Sequence, residues 1–420
     1  MNARYFVPVV LILLSACQEP DSAAQPVANG QDTTKTLERK GTYVYDAEFL
    51  RKHTSRVLEL KDQDGRAKVL LSADYQGRVM TSTATGDSGT SFGWLNYGLI
   101  GATAKKQQFN PVGGEERFWL GPEGGQYSIY FKAKDSFSFA NWQVPAIIDT
   151  MGYDLASAND TSAIFVKTAK LNNYSGTIFD ISIRRKISLL SKDAIKTALG
   201  STFDPALSVV AYGTENSIQN AGKVSWNKNS GLLSIWLLAM LTPSDQTKVI
   251  IPFEKRRDPT QFITKDYFGP IPPERLTITD SFLVLNCDGK FRSKIGIAPA
   301  IARPIAASFD FAKNILTLIR FSVDRTGSYV NSKWEIQKQP YKGDAVNAYN
   351  DGPLADGTQM GPFYEIESSS PARELKPGET QRYVQTTFHI QGEYSKLASL
   401  AQQLLGVNLD EVKGLSTAVK

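Results

Sequence analysis

Residues 179–184 read FDISIR, and this stretch decides the fold class. The apolar side chains of Phe179, Ile181 and Ile183 point to one face of an extended chain, and the polar residues between them point to the other. Such alternation is typical of a strand that has one face in a protein core and the other in solvent. The stretch therefore predicts a half-buried antiparallel strand.

Short runs with strand character recur on both sides of this stretch. Turn signals such as Asp64-Gly65 and Asp288-Gly289 separate several of them. Many strands with few helices between them predict a mostly-β chain that forms a large two-sheet antiparallel β-sandwich, rather than a parallel α/β sheet. We predict further strands at residues 57–61, 69–72, 78–82, 127–131, 163–167, 232–238, 248–253, 282–286, 315–321, 334–337 and 383–390.

Helices are predicted to be few and short. Residues 191–199 have a serine cap, an acidic first turn and a glycine at the end, and residues 394–405 place their leucines on one stripe. Residues 46–53 predict a third helix. Because no internal repeat and no second linker are visible, residues 41–420 predict a single domain.

The N-terminus has the features of a bacterial lipoprotein signal. Arg4 is followed by an apolar stretch at residues 5–14, which is too short to span a bilayer as a permanent helix. Leu14-Ser15-Ala16 then precedes Cys17, and this arrangement resembles the motif at which such signals are cleaved and the cysteine is acylated. We therefore predict a signal peptide at residues 1–16, a lipid on Cys17 and a polar tether up to residue 40, which together anchor the protein to a membrane of the bacterial cell envelope.

The composition is that of a globular domain. Hydrophobic residues make up 41% of the chain and charged residues 21%, which is enough apolar material for a substantial core. A net charge of +5 without a cluster of Lys and Arg gives no electrostatic signature of nucleic-acid binding. Once Cys17 is acylated only Cys287 remains, so no intramolecular disulfide is expected.

Four segments carry a resemblance to a known family. They are ADYQGRV at residues 73–79, GGEERFWLGPEGGQ at 113–126, YEIESSSPA at 364–372 and LKPGE at 375–379. Together they resemble the galactose mutarotase-like superfamily, and the second segment is similar to uncharacterised bacterial lipoproteins assigned to that fold. The resemblance implies a large antiparallel sandwich whose concave face binds sugars.

The resemblance also implies roles for individual residues. Glu367 falls on the catalytic glutamate of the superfamily, and Arg78 lies in the early strand-turn-strand segment as a substrate-binding candidate. Epimerases of this type also use histidines at the sugar ring oxygen. This chain has only His53 and His389, and neither matches those histidine motifs. Epimerisation by the usual route is therefore not expected.

Two glutamates in a predicted strand are the main catalytic candidates. Glu365 and Glu367 are two residues apart, so both carboxylates point to the same face, about 7 Å apart. If that face lines a cleft, mutual repulsion raises one pKa and favours acid or base chemistry. The same pair is as often found on a solvated strand face.

A glycine-rich segment presents a third acid. Residues 121–126 (GPEGGQ) place Glu123 among three glycines, which let a ligand approach the backbone; a tight hairpin is the alternative. Arg117 and Trp119 alternate onto one strand face nearby. An indole plane beside a guanidinium suits a sugar ring and its hydroxyls, so Arg117, Trp119 and Gln126 are predicted to bind substrate.

Residues 343–352 concentrate oxygen ligands. Asp344, Asn347, Asn350 and Asp351 could hold calcium, but the spacing is not that of an EF-hand and hydrogen-bonded turns explain it equally well. Otherwise no cofactor and no metal site is predicted. Tyr349 and Asn350 are instead candidates for binding sugar hydroxyls, and Arg292 is a further substrate-binding candidate.

Three functions remain open on the sequence alone. The first is a sugar-active enzyme of epimerase, hydrolase or lyase type, with a strand glutamate as acid or base. The second is a glycan-binding surface protein without catalysis, and the third is a structural envelope protein. The chain has no GxSxG, HExxH, Walker A or paired CxxC motif, which removes the commonest hydrolase, metalloprotease, nucleotide and zinc sites.

Overall fold

Three antiparallel sheets account for most of the structure. The computed structural model describes residues 39–102, 104–200 and 203–415, and these belong to one compact unit, Glu38–Lys420. The strands are β1 Val57–Lys61, β2 Lys68–Ser72, β3 Arg78–Thr83, β4 Arg117–Gly121, β5 Asp154–Asn159, β6 Ser162–Asn172, β7 Ile178–Leu189, β8 Ser208–Asn220, β9 Ser234–Leu238, β10 Thr247–Pro252, β11 Ile263–Thr264, β12 Leu276–Ile278, β13 Phe282–Asn286, β14 Ser293–Ile297, β15 Ile305–Asp310, β16 Ile315–Phe321, β17 Val346–Asn350, β18 Tyr364–Ser369 and β19 Thr380–Gln391.

The helices are short and mostly peripheral. They are α1 Tyr43–His53, α2 Tyr97–Gly101, α3 Ala146–Asp149, α4 Lys192–Leu199, α5 Tyr394–Leu405 and α6 Leu409–Gly414, with one 3₁₀ turn at Thr260–Phe262. Ser191 caps α4 by accepting a hydrogen bond from the Ala194 N–H, and Gly406 ends α5 in the left-handed conformation. Within the described residues, no helix is long and apolar enough to cross a membrane.

Two of the sheets are large and face each other. The large sheet has ten strands in the order β12-β13-β10-β15-β16-β19-β8-β7-β6-β5, and the site sheet has six in the order β11-β14-β17-β18-β9-β4. Strands β1, β2 and β3 form a separate small sheet. The prediction of a mostly-β antiparallel sandwich with few helices is therefore confirmed, with the small sheet as an addition.

The main core lies between the large sheet and the site sheet. Phe179, Ile181 and Ile183 of β7 are buried in it, as the alternation of FDISIR predicts, together with Leu237 and Ile366 of the site sheet. The opposite face of the large sheet buries a second cluster against helices α4, α5 and α6. These helices cover the middle strands of the large sheet, whereas the outer side chains of β5, β6 and β7 are partly or fully exposed.

Two of the predicted strands are wrong. Residues 127–131 and 334–337 form turns and irregular segments rather than strands, and β4 pairs with β9 instead of forming a hairpin with 127–131. The side chain of Gln126 bonds both backbone groups of Gln337, at 2.9 Å each, in place of a neighbouring strand. The predicted helices at 46–53, 191–199 and 394–405 and the remaining predicted strands are confirmed, with shifts at their ends.

Candidate functional site

One face of the site sheet collects side chains from five strands. Pairing sets Glu365 opposite Tyr349, Glu367 opposite Leu238, and Trp119 opposite Trp236. The alternate residues of β18 point the other way, since Ser368 and Tyr364 hydrogen-bond to residues of the large sheet. Glu365 and Glu367 therefore share the face turned away from the core, as their spacing predicts.

A cavity of about 1240 Å³ lies on this face. Its volume exceeds that of an ordinary small-molecule pocket, so it has room for more than one sugar ring. Its walls are rich in aromatic side chains from the site sheet and from the irregular segments at 106–111, 122–142, 266–268 and 330–335. The aromatic lining residues are Phe109, Trp119, Phe139, Trp142, Trp236, Tyr267, Phe268, Trp334 and Tyr349.

Several of these rings pack into a continuous wall. Trp142 stacks against Trp334 with centroids 6.0 Å apart and against Phe139 at 5.9 Å. Trp119 meets Trp236 edge to face at 5.6 Å. Ring faces with a polar N–H at one edge can contact the apolar face of a sugar ring and bond its hydroxyls at the same time.

Glu123 faces this cavity from the glycine-rich segment at residues 121–126. The Ser332 hydroxyl bonds its backbone N–H at 3.2 Å, and a Cβ at Gly124 would lie 2.2 Å from the Lys333 carbonyl oxygen, so only glycine lets this loop pack so closely. Within the described chain the Glu123 carboxyl has no ion pair. The Trp142 indole lies near it without reaching ordinary hydrogen-bond geometry.

Burial shifts the titration of Glu123 toward neutrality. Loss of solvent raises the pKa of Glu123 to about 7; Lys294 and Arg292 oppose this shift, and the charge of Glu367 adds to it. A carboxyl that titrates near neutral pH can both donate and accept a proton under physiological conditions. Glu123 therefore has the position and the proton affinity of an acid/base group.

Glu365 lines the cavity but is paired with a cation. The Arg117 guanidinium donates from Nη2 to Glu365 Oε1, and both side chains are almost fully buried. Burial raises the pKa of the Glu365 carboxyl, against the opposing charge of Arg117. Arg117 also lies over the ring of Trp119, 4.9 Å from its centroid, which joins this ion pair to the aromatic wall.

Glu367 lies behind the cavity wall. Its Oε2 accepts hydrogen bonds from Lys294 Nζ at 2.9 Å and from the Trp236 indole at 2.9 Å, and its side chain has no solvent exposure. Lys294 and Trp236 both line the cavity, whereas Glu367 does not. Burial alone would lower the pKa of Lys294, but the carboxylates of Glu367 and Glu123 outweigh it and raise that pKa, so Lys294 is held as a cation. This position suits Glu367 for holding Lys294 and Trp236 in place rather than for touching a ligand.

Arg292 lies at the edge of the same cavity. Its Cζ is 3.9 Å from the centroid of the Phe268 ring, and its Nε donates to the Tyr349 hydroxyl at 3.3 Å. The Tyr349 hydroxyl donates in turn to Asp351 at 2.5 Å. Burial raises the pKa of both Tyr349 and Asp351.

Four buried polar atoms of cavity-lining residues have no hydrogen-bond partner within the described residues. They are Arg117 Nε, the indole nitrogens of Trp119 and Trp142 and the hydroxyl of Ser234. A buried donor without a partner costs about 1–3 kcal/mol relative to a bonded one. Because none of the four has appreciable accessible surface, a ligand hydroxyl bonds them only if neighbouring side chains shift.

Three predicted binding residues do not reach the cavity. Arg78 is buried and donates to the Gly113 carbonyl at 2.7 Å and to Gln76 at 2.8 Å. Asn350 donates to the Phe291 carbonyl at 2.8 Å and accepts from the Gly289 N–H at 2.9 Å. The side chain of Gln126 forms hydrogen bonds with the backbone of Gln337. None of the three is among the residues that line the cavity.

The four calcium candidates make hydrogen bonds to the protein. Asp344 accepts from Tyr267 at 2.6 Å, Asn347 donates to the Ile295 carbonyl at 3.2 Å, and Asp351 accepts from the Gly361 N–H at 3.0 Å. In the part of the chain that the structure describes, no group of three or more His, Cys, Asp or Glu is placed to hold a metal ion. Calcium at Asp344, Asn347, Asn350 and Asp351 stays a prediction from composition alone.

The structure adds cavity residues that sequence reasoning did not select. Lys294 follows Arg292 by two residues on the same strand face, but it was not among the residues predicted from the sequence. Trp236 falls inside the apolar run at 232–241, which reads as core. Trp142, Trp334 and Phe268 lie in loops without a motif, so nothing in the sequence marks them. Cys17 and the predicted signal peptide lie outside the described residues.

A mostly-β sandwich with an aromatic, acid-bearing cavity is the class that fold and site define. The chain matches a family of unknown function, DUF6786, over residues 41–416, and it belongs to this family. A comparison with curated proteins finds no match.

Solved structures with a similar fold include three bacterial proteins. A putative aldose 1-epimerase from Escherichia coli K12 is 11% identical, with 80% of this chain and 99% of that one covered and a TM-score of 0.47. The Slr1438 protein from Synechocystis sp. PCC 6803 is 12% identical, with 81% of this chain and 98% of that one covered and a TM-score of 0.49. A galactose mutarotase-like protein from Lactobacillus casei is 10% identical, with 79% of this chain and 99% of that one covered and a TM-score of 0.46. At this identity and similarity the likeness carries no inference about chemistry, which has to come from the site itself.

Proposed function

We propose that this chain is a carbohydrate-active lipoprotein of the bacterial cell envelope, anchored through Cys17, in which Glu123 transfers a proton to or from a sugar oxygen. The observation that carries the proposal is the Glu123 carboxyl, which has no ion pair in the described chain, has a pKa near 7, and faces a cavity walled by indole rings. Its reaction would be of the epimerase, hydrolase or lyase type, since each needs such a group.

The other charged groups have supporting roles in this proposal. Arg117 and Lys294 are oriented by Glu365 and Glu367, so they offer positioned donors to sugar hydroxyls. Trp119 and Trp236 supply ring faces. Glu367 touches no ligand in this scheme and acts as a positioning residue through Lys294 and Trp236.

A second function, glycan binding without catalysis, is favoured by one observation. No histidine lines the cavity among the residues that the structure describes: His389 is buried against Glu115, and His53 packs on Phe49 of α1. Without a lining histidine, a second proton transfer would have to use the exposed Glu335 or one of the hydrogen-bonded acids Asp344 and Asp351. The aromatic wall would then supply affinity alone.

Turnover by a Glu123→Gln variant tests the first function against the second. The full chain in detergent is incubated with a panel of reducing sugars and oligosaccharides, and anomeric exchange and cleavage are followed by proton NMR. We expect the variant to lose about a hundredfold or more of the activity while it still binds the sugar, because a positioned acid/base contributes about that much.

The matched control is Glu48→Gln on the exposed side of α1, which should leave activity unchanged. Full activity in Glu123→Gln would contradict the acid/base role. Wild-type protein that binds glycans and never changes them would establish the binding function instead.

Membrane anchoring is tested by a separate variant. Cys17→Ser should move the protein from the membrane fraction to the soluble fraction, and an unchanged distribution would refute the lipid anchor.

A further inference from the structure

Three of the five cations that line the cavity are held in ion pairs within the described residues. Arg117 is paired with Glu365, Lys294 with Glu367 and Lys333 with Asp266. The exposed Lys106 and the half-buried Arg292 also line the cavity and form no ion pair with any residue that the structure describes. Arg292 is therefore a guanidinium in the wall of the site that no carboxylate of the described chain engages.

Arg292 is nevertheless held firmly in place. Its flat face lies on the Phe268 ring, and its Nε edge bonds the Tyr349 hydroxyl, which Asp351 fixes from behind. Asp351 has both oxygens engaged, by Tyr349 and by the Gly361 N–H, and it does not reach Arg292 within ion-pair distance. The Phe268 ring and the Tyr349 hydroxyl therefore fix the orientation of the guanidinium. Its two terminal Nη atoms have no hydrogen bond within the described residues.

The exposed edge of a guanidinium matches a planar carboxylate. Its two parallel N–H groups bond the two oxygens of one carboxylate, and this geometry makes arginine selective for such groups. A phosphate monoester carries about −1.5 to −2 charges at neutral pH, whereas Arg292 supplies one positive charge. A monoanion therefore matches the single charge of Arg292.

We propose that Arg292 is the binding site for the carboxylate of a uronic acid residue, so that the substrate class is an acidic oligosaccharide. The inference rests on the proposed carbohydrate function and narrows it from sugars in general to uronate-containing chains. The cavity of about 1240 Å³ has room for neutral rings beside the acidic one.

A carboxylate on Arg292 has a consequence for the acid/base group. The Arg292 charge lowers the pKa of Glu123, against the larger effect of burial. A bound carboxylate cancels that charge, so Glu123 holds its proton more tightly when the site is filled. Substrate binding would thus favour Glu123 as a proton donor.

Calorimetric binding of matched acidic and neutral trisaccharides tests the proposal. The probes are trimers of galacturonic, glucuronic and mannuronic acid, the corresponding neutral trimers, and galactose 6-phosphate, all with the full chain in detergent. We expect at least one acidic trimer to bind about tenfold or more tightly than its neutral counterpart. Arg292→Gln should weaken the binding of the acidic trimer about tenfold more than that of its neutral counterpart and so remove the preference, and Arg292→Lys should restore only part of it.

The matched control is Arg256→Gln, because Arg256 also lies over an aromatic ring, that of Phe262, but is exposed and outside the cavity. Binding of neutral trimers with no acidic preference in any pair overturns the carboxylate site and leaves the proposed function standing. Tighter binding of the phosphosugar than of every uronate also overturns it. If no sugar of the panel binds, both proposals fail together.

Discussion

Two clusters of buried glutamates lie on opposite sides of the site sheet, and they differ in what their carboxylates meet. Glu115 and Glu116 point into the space between the large sheet and the site sheet, and neither side chain has any solvent exposure. Glu123, Glu365 and Glu367 lie on the cavity side. We call the first group the core cluster and the second group the cavity cluster.

Protein donors bond three of the four carboxylate oxygens of the core cluster, and Glu115 Oε1 has no partner within the described residues. The Arg185 guanidinium bonds Glu116 at 2.7 Å with both side chains fully buried, and Gln385 bonds the other oxygen of Glu116 at 2.9 Å. His389 and Ser82 share one oxygen of Glu115, at 3.0 and 2.8 Å. These partners come from the large sheet and the small sheet, so the core cluster connects all three sheets.

Burial alone does not separate the two clusters. It raises the pKa of Glu116 just as it raises that of Glu123. What sets Glu123 apart from Glu116 is that it has no fixed counter-charge in the described chain and has open volume beside its carboxyl. A raised pKa is therefore a sign of function only where the protein leaves the group unpaired next to a cavity.

Breaking the core cluster should have the largest effect. Arg185→Met removes the counter-charge of Glu116 and leaves the Gly77 carbonyl without its donor, which lies at 3.1 Å. Loss of one partner of a fully buried ion pair costs about 3–5 kcal/mol. We expect the free energy of unfolding, measured by urea denaturation, to fall by that amount.

The surface pair next along the strand is the control for this experiment. Lys186→Met removes an exposed partner of Glu215 and should cost at most about 1 kcal/mol. An Arg185→Met loss as small as that of Lys186→Met would show that the core cluster does not hold the sheets together.

Removing one hydrogen-bond donor from the aromatic wall of the cavity should have a smaller effect than breaking the core cluster. We expect it to change ligand affinity and not stability. Trp142→Phe keeps a ring in the wall but deletes an indole N–H that has no partner among the described residues. One hydrogen bond to a neutral group contributes about 1 kcal/mol, so a glycan that binds should do so about fivefold more weakly by calorimetry. Tyr174→Phe, whose hydroxyl bonds the Asp135 carbonyl outside the cavity, should bind as wild type. Equal affinities for Trp142→Phe and wild type would mean that no ligand group uses this donor.

Local alternation in the sequence was enough to predict one half of the site. The period of two placed Glu365 with Glu367, and Arg117 with Trp119, on single faces of their strands, and both pairs are confirmed. It also predicted β7 and most of the other strands. These predictions succeed because the direction of a strand side chain depends only on neighbouring residues.

The other half depends on strand order, which local patterns do not contain. Lys294 reaches Glu367 because β14 and β18 both pair with β17, although 73 residues separate the two side chains along the chain. Gln126 was predicted to bind substrate, but its side chain forms hydrogen bonds with the backbone of Gln337 instead. Arg78 donates to the Gly113 carbonyl and does not reach the cavity. The alternation of residues along a strand does not show which other strand an arginine side chain will face.

The smallest expected effect is a pH dependence of stability that belongs to the cavity cluster. The pKa of Glu123 is about 7 in the folded chain, above its ordinary value of 4.5, so the folded state holds the proton over a range in which the unfolded state has released it. The contribution of Glu123 to stability is full below pH 4.5 and is lost as the pH rises through 7. Glutamine does not titrate, so the stability of wild type relative to Glu123→Gln should fall over this interval by on the order of 1 kcal/mol, allowing for partial exposure. Urea denaturation at several pH values measures the difference, with Glu48→Gln expected to follow the wild-type curve. Parallel curves for Glu123→Gln and wild type would show that the carboxyl titrates as it does in water, and the contrast between the two clusters would then rest on volume alone.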